Sequence, residues 1–177
     1  MDSFCQLLHT HMIFRFLLLL IVLLAHSAHA REVFTATVTY VTDGDTLWVQ
    51  PGTGGPPRKL RLQGIDAPEI CQRGGKVARD WLRRLAAQRQ VTVTVTVTYS
   101  DRYGRGQVTI ALDGTDLAAQ MVRAGHAWSD GWRGRPGRYA AEEALARQSR
   151  LGLFAAAHPE SPREFRKRHG SCHVTGR

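Results

Sequence analysis

Eight consecutive residues, Val91-Thr92-Val93-Thr94-Val95-Thr96-Val97-Thr98, alternate strictly between valine and threonine. Successive side chains of a strand point to opposite faces, whereas a helix returns to one side every third or fourth residue, so this run reads as a strand. Both residue types are β-branched and stiff at χ1, which suits a pleated surface. The valine face must be covered by a core, while the threonine face tolerates water. The chain therefore needs partner strands and apolar cover for that face.

Partners are available on both sides. Val33 to Val49 reads as a hairpin, in which Phe34, Ala36, Val38 and Tyr40 alternate and Leu47-Trp48-Val49 resumes after Asp43-Gly44-Asp45. Pro51 to Pro57 is a loop by composition. Lys59 to Ile65 forms a third strand, and Gln107 to Leu112 a fifth, closed by the turn Asp113-Gly114. Between the third and fourth strands Gly74-Gly75 opens a helix, with Val77, Ala78, Trp81, Leu82, Leu85 and Ala86 as its apolar stripe and Arg79, Arg83 and Arg84 off it. Thr115 can cap a second helix that stops at Gly125. Pro136 opens a third, ending near Gly152. Five short strands with a helix after the third match the order of a small OB-fold barrel, and about three helices make the class α+β, mainly β. A generic α+β sheet with helices on one side is the alternative.

The first thirty residues differ in kind. Arg15 precedes an apolar run from Phe16 to Ala25, and Ala28-His29-Ala30 supplies the small-x-small pattern of a cleavage site. The run is too short for a membrane span and reads as a secretory signal, with translation starting at Met1 or Met12. The expected organisation is a signal over 1–30, a folded domain over 31–154 and a basic C-terminal tail over 155–177, docked or loose. The product would be periplasmic or secreted. Removing the leader takes away Arg15 and Asp2, so the net charge stays at +9. That surplus favours polyanionic partners, without distinguishing nucleic acid from an anionic membrane surface.

Three stretches carry chemistry. Asp43-Gly44-Asp45-Thr46 is, alone, most simply a hairpin turn. Arg61-Leu62-Gln63-Gly64-Ile65-Asp66-Ala67-Pro68-Glu69 puts an arginine and two carboxylates around a strand end, and Pro68 biases Ala67 toward an extended conformation. Asp101-Arg102-Tyr103-Gly104-Arg105-Gly106 is a turn by default. Together they contain what phosphodiester hydrolysis needs. Hard oxygen ligands hold a divalent cation on the phosphate. A separate carboxylate takes a proton from the attacking water. Guanidiniums brace the charge that develops on phosphate oxygens.

These three blocks, in their order and spacing, resemble the staphylococcal-nuclease-like, or thermonuclease, family, from about Val33 to Ala127 and less firmly to Phe154. The resemblance implies an OB-fold and calcium-dependent cleavage of DNA and RNA. It implies Asp45 and Asp66 as calcium carboxylates, with the Ala67 carbonyl as a third ligand. Glu69 would be the general base, and Arg61 and Arg105 the phosphate clamps. Asp43 and Thr46 would act on the metal through water, and Arg102 and Tyr103 would contact a flanking phosphate. The loop from Ile70 to Gly75 is shorter than in the best-known member, and an aromatic of that member's pocket has no aligned counterpart. Trp128 or Trp132 is available to stack a base instead. The enzyme is expected to act as a monomer, without stable membrane association after signal cleavage. A module that binds nucleic acid without cutting it, and a cationic envelope protein, are the other classes compatible with the composition.

Two cysteines survive removal of the leader, Cys71 and Cys172. Export exposes them to an oxidising compartment, so a disulfide between them is expected, fastening the tail beside the catalytic loop. Two independent thiols are the alternative. His169, Cys172 and His173 make a poor zinc set. His126 reads as structural and Trp81 as core.

Overall fold

The computed structural model describes residues 32–100, 106–131 and 134–172, with the side chains of 95–100 and 106 excepted. The leader, Arg102, Tyr103, Arg105, Trp132 and His173 lie outside the described residues.

The strand run at 91–98 sits inside β5 (Gln90–Ser100). β5 pairs antiparallel with β1 (Glu32–Val41) on one side and with β6 (Gly106–Leu112) on the other. β1 also pairs with β2 (Thr46–Pro51), and β2 with β3 (Arg58–Leu62). A parallel pairing of β3 with β6 closes the circuit, giving a five-stranded mixed OB-fold barrel. β1 pairs with β5 through its first half and with β2 through its second, and its register with β2 shifts between Val38 and Tyr40, a bulge that bends and twists the strand.

The barrel interior is aliphatic. Val38, Leu47, Val49, Leu60, Leu62, Val93, Val108 and Ile110 are all buried, as their period-two positions require. Ala78, Leu82 and Ala86 of α1 (Gly75–Ala86) join the same core. So do Leu117, Met121 and Val122 of α2 (Leu117–Arg123). A smaller cluster packs Trp128 and Phe154 with Ala146 of α3 (Ala140–Gln148). Among the described residues no helix is long and apolar enough to cross a membrane.

Several local expectations are corrected. The third strand ends at Leu62. Gly64 takes a positive φ of 79°, and Ile65–Asp66 restarts as β4, paired with β8 (Trp128–Ser129). A two-residue β7 (Thr115–Asp116) precedes α2, whose cap is Asp116 and not Thr115: its side chain accepts from the Ala118 amide at 2.9 Å. The cap is reinforced because the Tyr139 hydroxyl donates to the other Asp116 oxygen at 2.8 Å. The third helix starts at Ala140, leaving Pro136 in the irregular segment before it, and Gly152 opens a short 3₁₀ turn after it. Val77, counted in the α1 stripe, is 58% exposed. Trp81 is only partly buried, at the edge of the core against His126.

A fourth helix, α4 (Pro162–His169), lies in the basic tail. Its start is chemically explicit: Ser161 and Glu164 form a reciprocal capping box and Pro162 occupies the first turn. Glu164 is held ionised below its usual range by the Ser161 hydroxyl and amide.

Cys71 and Cys172 are joined by a disulfide, with Cα atoms 6.0 Å apart and a sequence separation of 101. In the chain-entropy description a loop of that size is worth up to about 4.7 kcal/mol, and measured values cluster nearer 2–4 kcal/mol. The Cys71→Ser/Cys172→Ser double variant is therefore expected to lose about 3 kcal/mol, lowering Tm by about 6–12 °C. Thermal unfolding of the oxidised wild type beside the variant checks this. Equal midpoints would show that the bridge constrains nothing.

Candidate active site

The turn from β1 to β2 carries the first block. The Thr42 and Asp43 amides both donate to the Thr46 carbonyl, at 2.9 and 3.4 Å, and Asp43 Oδ1 accepts from the Asp45 amide at 3.0 Å. Gly44 is required by packing: a Cβ there would stand 2.7 Å from the Ala67 Cβ and 2.9 Å from the Ala78 Cβ. The turn is thus pressed against both the second block and α1. Asp45 is tied to β3 as well, its carbonyl accepting from the Leu62 amide at 2.8 Å, which brings its side chain beside Arg61.

Arg61 is the hub. Its Nη1 donates to Asp45 Oδ1 at 3.1 Å and its Nη2 lies 2.9 Å from Asp45 Oδ2, a two-pronged pairing of planar groups. Nη2 also donates to Asp66 Oδ1 at 3.2 Å and to the Ile65 carbonyl at 3.4 Å. Asp45 is 3% and Asp66 9% exposed, so the Arg61 guanidinium bridges two buried carboxylates. Burial opposes the Arg61 charge, but Asp45, Asp66 and Asp43 more than offset it and its pKa is raised. Thr46 Oγ1 donates to Asp45 Oδ1 at 2.8 Å. The Ala67 amide donates to Asp45 Oδ2 at 3.2 Å. Six of the residues singled out in the sequence, Asp43, Asp45, Thr46, Arg61, Asp66 and Ala67, are therefore brought into one network.

Glu69 follows Pro68 in a segment without regular structure. Its backbone is nonetheless fixed. The Glu69 amide donates to Gln72 Oε1 at 3.2 Å, and its carbonyl accepts from the Gln72 amide at 2.8 Å. A Cβ on Gly75 would stand 1.9 Å from that carbonyl, so the first residue of α1 must be glycine for the loop to lie where it does.

Three residues at the site had no signal of their own in the sequence. Gln72 is buried and reaches across the loop, its Nε2 donating to the Glu160 carbonyl at 2.9 Å. Asp130, whose amide donates to the Gly64 carbonyl, is raised above the ordinary carboxyl range by burial and then by the charge of Asp66. Arg166 of α4 places Nη2 2.8 Å from Asp66 Oδ2, and its Nη1 donates at 3.1 Å both to Asp66 Oδ1 and to Glu69 Oε1. The expected link between Cys71 and Cys172 was the one clue that the tail reaches this loop, but nothing local marked Arg166.

The donor set suits a hard divalent cation. Burial and then the Asp45 charge push Asp43 up to about 7, and burial and then the Asp66 charge raise Asp130. Among the described residues no three His, Cys, Asp or Glu side chains are arranged to hold a metal by themselves. A cation here must draw further oxygens from backbone, solvent or substrate, as calcium does in open sites. Among the described residues the other candidates take structural places, while Trp132 and His173 lie outside them. Trp128 is 8% exposed and packs edge-on against Phe154 at 5.6 Å, so it cannot stack a base. Of the tail set, Cys172 is in the disulfide and His169 packs on Phe165. His126 holds the α2 end, its amide donating to the Met121 carbonyl.

The fold and site thus define a closed five-stranded barrel that gathers acids and an arginine around the β1–β2 turn and the end of β3. The sequence matches the family described as "Staphylococcal nuclease homologue" over residues 59–156, more than half of the chain. The chain belongs to that family. It is 39% identical over 133 residues to an "uncharacterized endonuclease" of Escherichia coli, covering 74% of this chain and 84% of the relative. It is 30% identical over 149 residues to an "uncharacterized endonuclease" of Haemophilus influenzae, covering 84% and 82%. A "probable staphylococcal-like nuclease" of Oryza sativa is 39% identical over 110 residues, 62% of this chain. The match spans only 22% of that rice protein, and 32% of a Capnoides sempervirens relative.

Proposed function

We propose that the protein is an exported, calcium-dependent nuclease that hydrolyses phosphodiester bonds in DNA and RNA. The observation that carries this reading is the buried Asp45–Arg61–Asp66 cluster with Glu69 beside it. Family membership and the relatives' names, endonuclease and staphylococcal-like nuclease, support it. The disulfide supports export, since such bridges persist in oxidising compartments.

Asp45 and Asp66, with the Ala67 carbonyl, would hold the calcium ion, and Asp43 and Thr46 would orient that set. When bound, the ion supplies charge neutralisation and polarisation at the phosphate. Thr46 Oγ1 fixes one Asp45 oxygen and the Ala67 amide the other. Glu69 accepts a proton from the water that attacks phosphorus. One P–O bond of the chain breaks as the new one forms, leaving a phosphate monoester on one fragment and a hydroxyl on the other. Arg61 donates to phosphate oxygens as their charge grows, which its planar fork allows once substrate shares it with Asp45 and Asp66. Arg105 would be the second clamp, and Arg102 and Tyr103 would hold a flanking phosphate.

With two protein carboxylates, calcium affinity of the free enzyme is expected at about 0.1–1 mM, tightening when a phosphate completes the ligand set. Digestion of plasmid DNA and of RNA across a calcium titration, then in excess chelator, tests this. Full activity in chelator would overturn the calcium requirement, and no cleavage at any calcium concentration would overturn the reading as a whole.

A further inference from the structure

The side chain of Glu69 is held from outside its own loop. Arg166 Nη1 donates to its Oε1 at 3.1 Å and the Cys172 amide to its Oε2 at 3.3 Å. Both partners belong to the tail, about 100 residues downstream. The same Arg166 guanidinium pairs in two prongs with Asp66, at 2.8 and 3.1 Å. One rigid plane thereby spans the residue assigned as base and a residue assigned to the metal. The tail is anchored beside them by the Cys71–Cys172 bridge, two residues past Glu69, and by Gln72 on the Glu160 carbonyl. The helix end next to Arg166 is fixed too, since the Gly170 amide donates to the Arg166 carbonyl at 2.9 Å.

We propose that Arg166 is a positioning residue of the catalytic site, and that the disulfide-anchored segment from Glu160 to Cys172 completes that site; this rests on the nuclease reading above. A glutamate side chain on an irregular loop has three free torsions, and fixing them costs conformational entropy unless neighbours have already done so. Arg166 and the Cys172 amide do so before substrate arrives. Arginine suits the task because its fork sets direction as well as charge. The arrangement has a built-in cost: a cation beside Asp66 disfavours a second cation there.

That cost gives the test its signature. In the oxidised mature protein, Arg166→Ala is expected to lower turnover at saturating calcium and DNA by about 10-fold or more, with KM for DNA changed far less. Calcium binding to the substrate-free protein, followed by calorimetry, is expected to tighten by about 3-fold or more, because a like charge has been removed. Guanidinium chloride at millimolar, non-denaturing concentration should restore part of the Arg166→Ala turnover. Arg166→Lys, which keeps charge and helix but not the fork, should bind calcium as the wild type does and turn over at an intermediate rate. Turnover of Arg166→Ala equal to or above wild type would overturn the proposal and make the tail a plug. So would joint loss of turnover, calcium binding and Tm without guanidinium rescue, which a merely structural role predicts. A wild-type protein that does not cleave DNA in calcium defeats the underlying reading; a cleaving wild type beside a fully active variant defeats this inference alone.

Discussion

Glu69→Gln is expected to reduce turnover by roughly 100-fold or more while leaving DNA binding nearly intact. The substitution keeps the shape of the side chain and one acceptor oxygen, enough for Arg166 on Oε1 but not also for the Cys172 amide on the second oxygen. It removes the capacity to take a proton from water. Arg166 retains its two-pronged hold on Asp66, so the metal-side geometry is preserved. Single-turnover cleavage at saturating calcium reads the chemical step, and anisotropy of labelled DNA reads binding. A variant cutting at near the wild-type rate would remove the role from Glu69.

Arg61 is expected to reveal two separate contributions. Arg61→Ala leaves Asp45, 3% exposed, without its cation while Asp66 keeps Arg166, and breaking a buried pair this way costs about 3–5 kcal/mol of stability. Arg61→Lys keeps the charge but loses the fork: one ammonium cannot reproduce contacts to both Asp45 oxygens, Asp66 and the Ile65 carbonyl. Stability should largely survive, whereas transition-state stabilisation should fall by about 3 kcal/mol, by analogy with losing one oxyanion donor. Arg105→Lys is expected to lose a similar amount from the second clamp. Arg84→Ala, on the exposed side of α1, should change only the salt dependence of binding. Denaturant unfolding beside steady-state kinetics separates these contributions. Equal kinetic losses in the Arg61→Lys and Arg84→Ala proteins would show that bulk charge, and not the fork, matters.

What the sequence determined by itself is what short-range periodicity encodes. Alternation at 91–98 specifies a strand with one apolar face whatever surrounds it, because the side-chain period of a strand is two. Ala78, Leu82 and Ala86 announced the buried face of α1 in the same way, at a period near four. The blocks carrying Asp45, Arg61 and Asp66 stood out in the sequence through their resemblance to a family, whereas the ion pairing of Arg61 with both carboxylates follows from the pairing of β2 with β3.

The tertiary structure decided whatever depends on partners distant in sequence. Val77 fits the helical stripe yet stays exposed, because period says which face a residue shares and not how far the core extends. Gly64 ends β3 early because Ile65–Asp66 finds a better partner in Trp128–Ser129, and that exchange buries the indole expected to meet a base. Asp116 displaced Thr115 as the cap because Tyr139, from beyond the next turn, donates to its second oxygen. Arg166 is the extreme case. In a tail of arginines and lysines its identity as the one that meets Asp66 and Glu69 follows from a helix phase set by the Ser161–Glu164 cap and an anchor set by Cys71–Cys172. Neither fact alone aims a guanidinium; together they place it among carboxylates about 100 residues away in the chain.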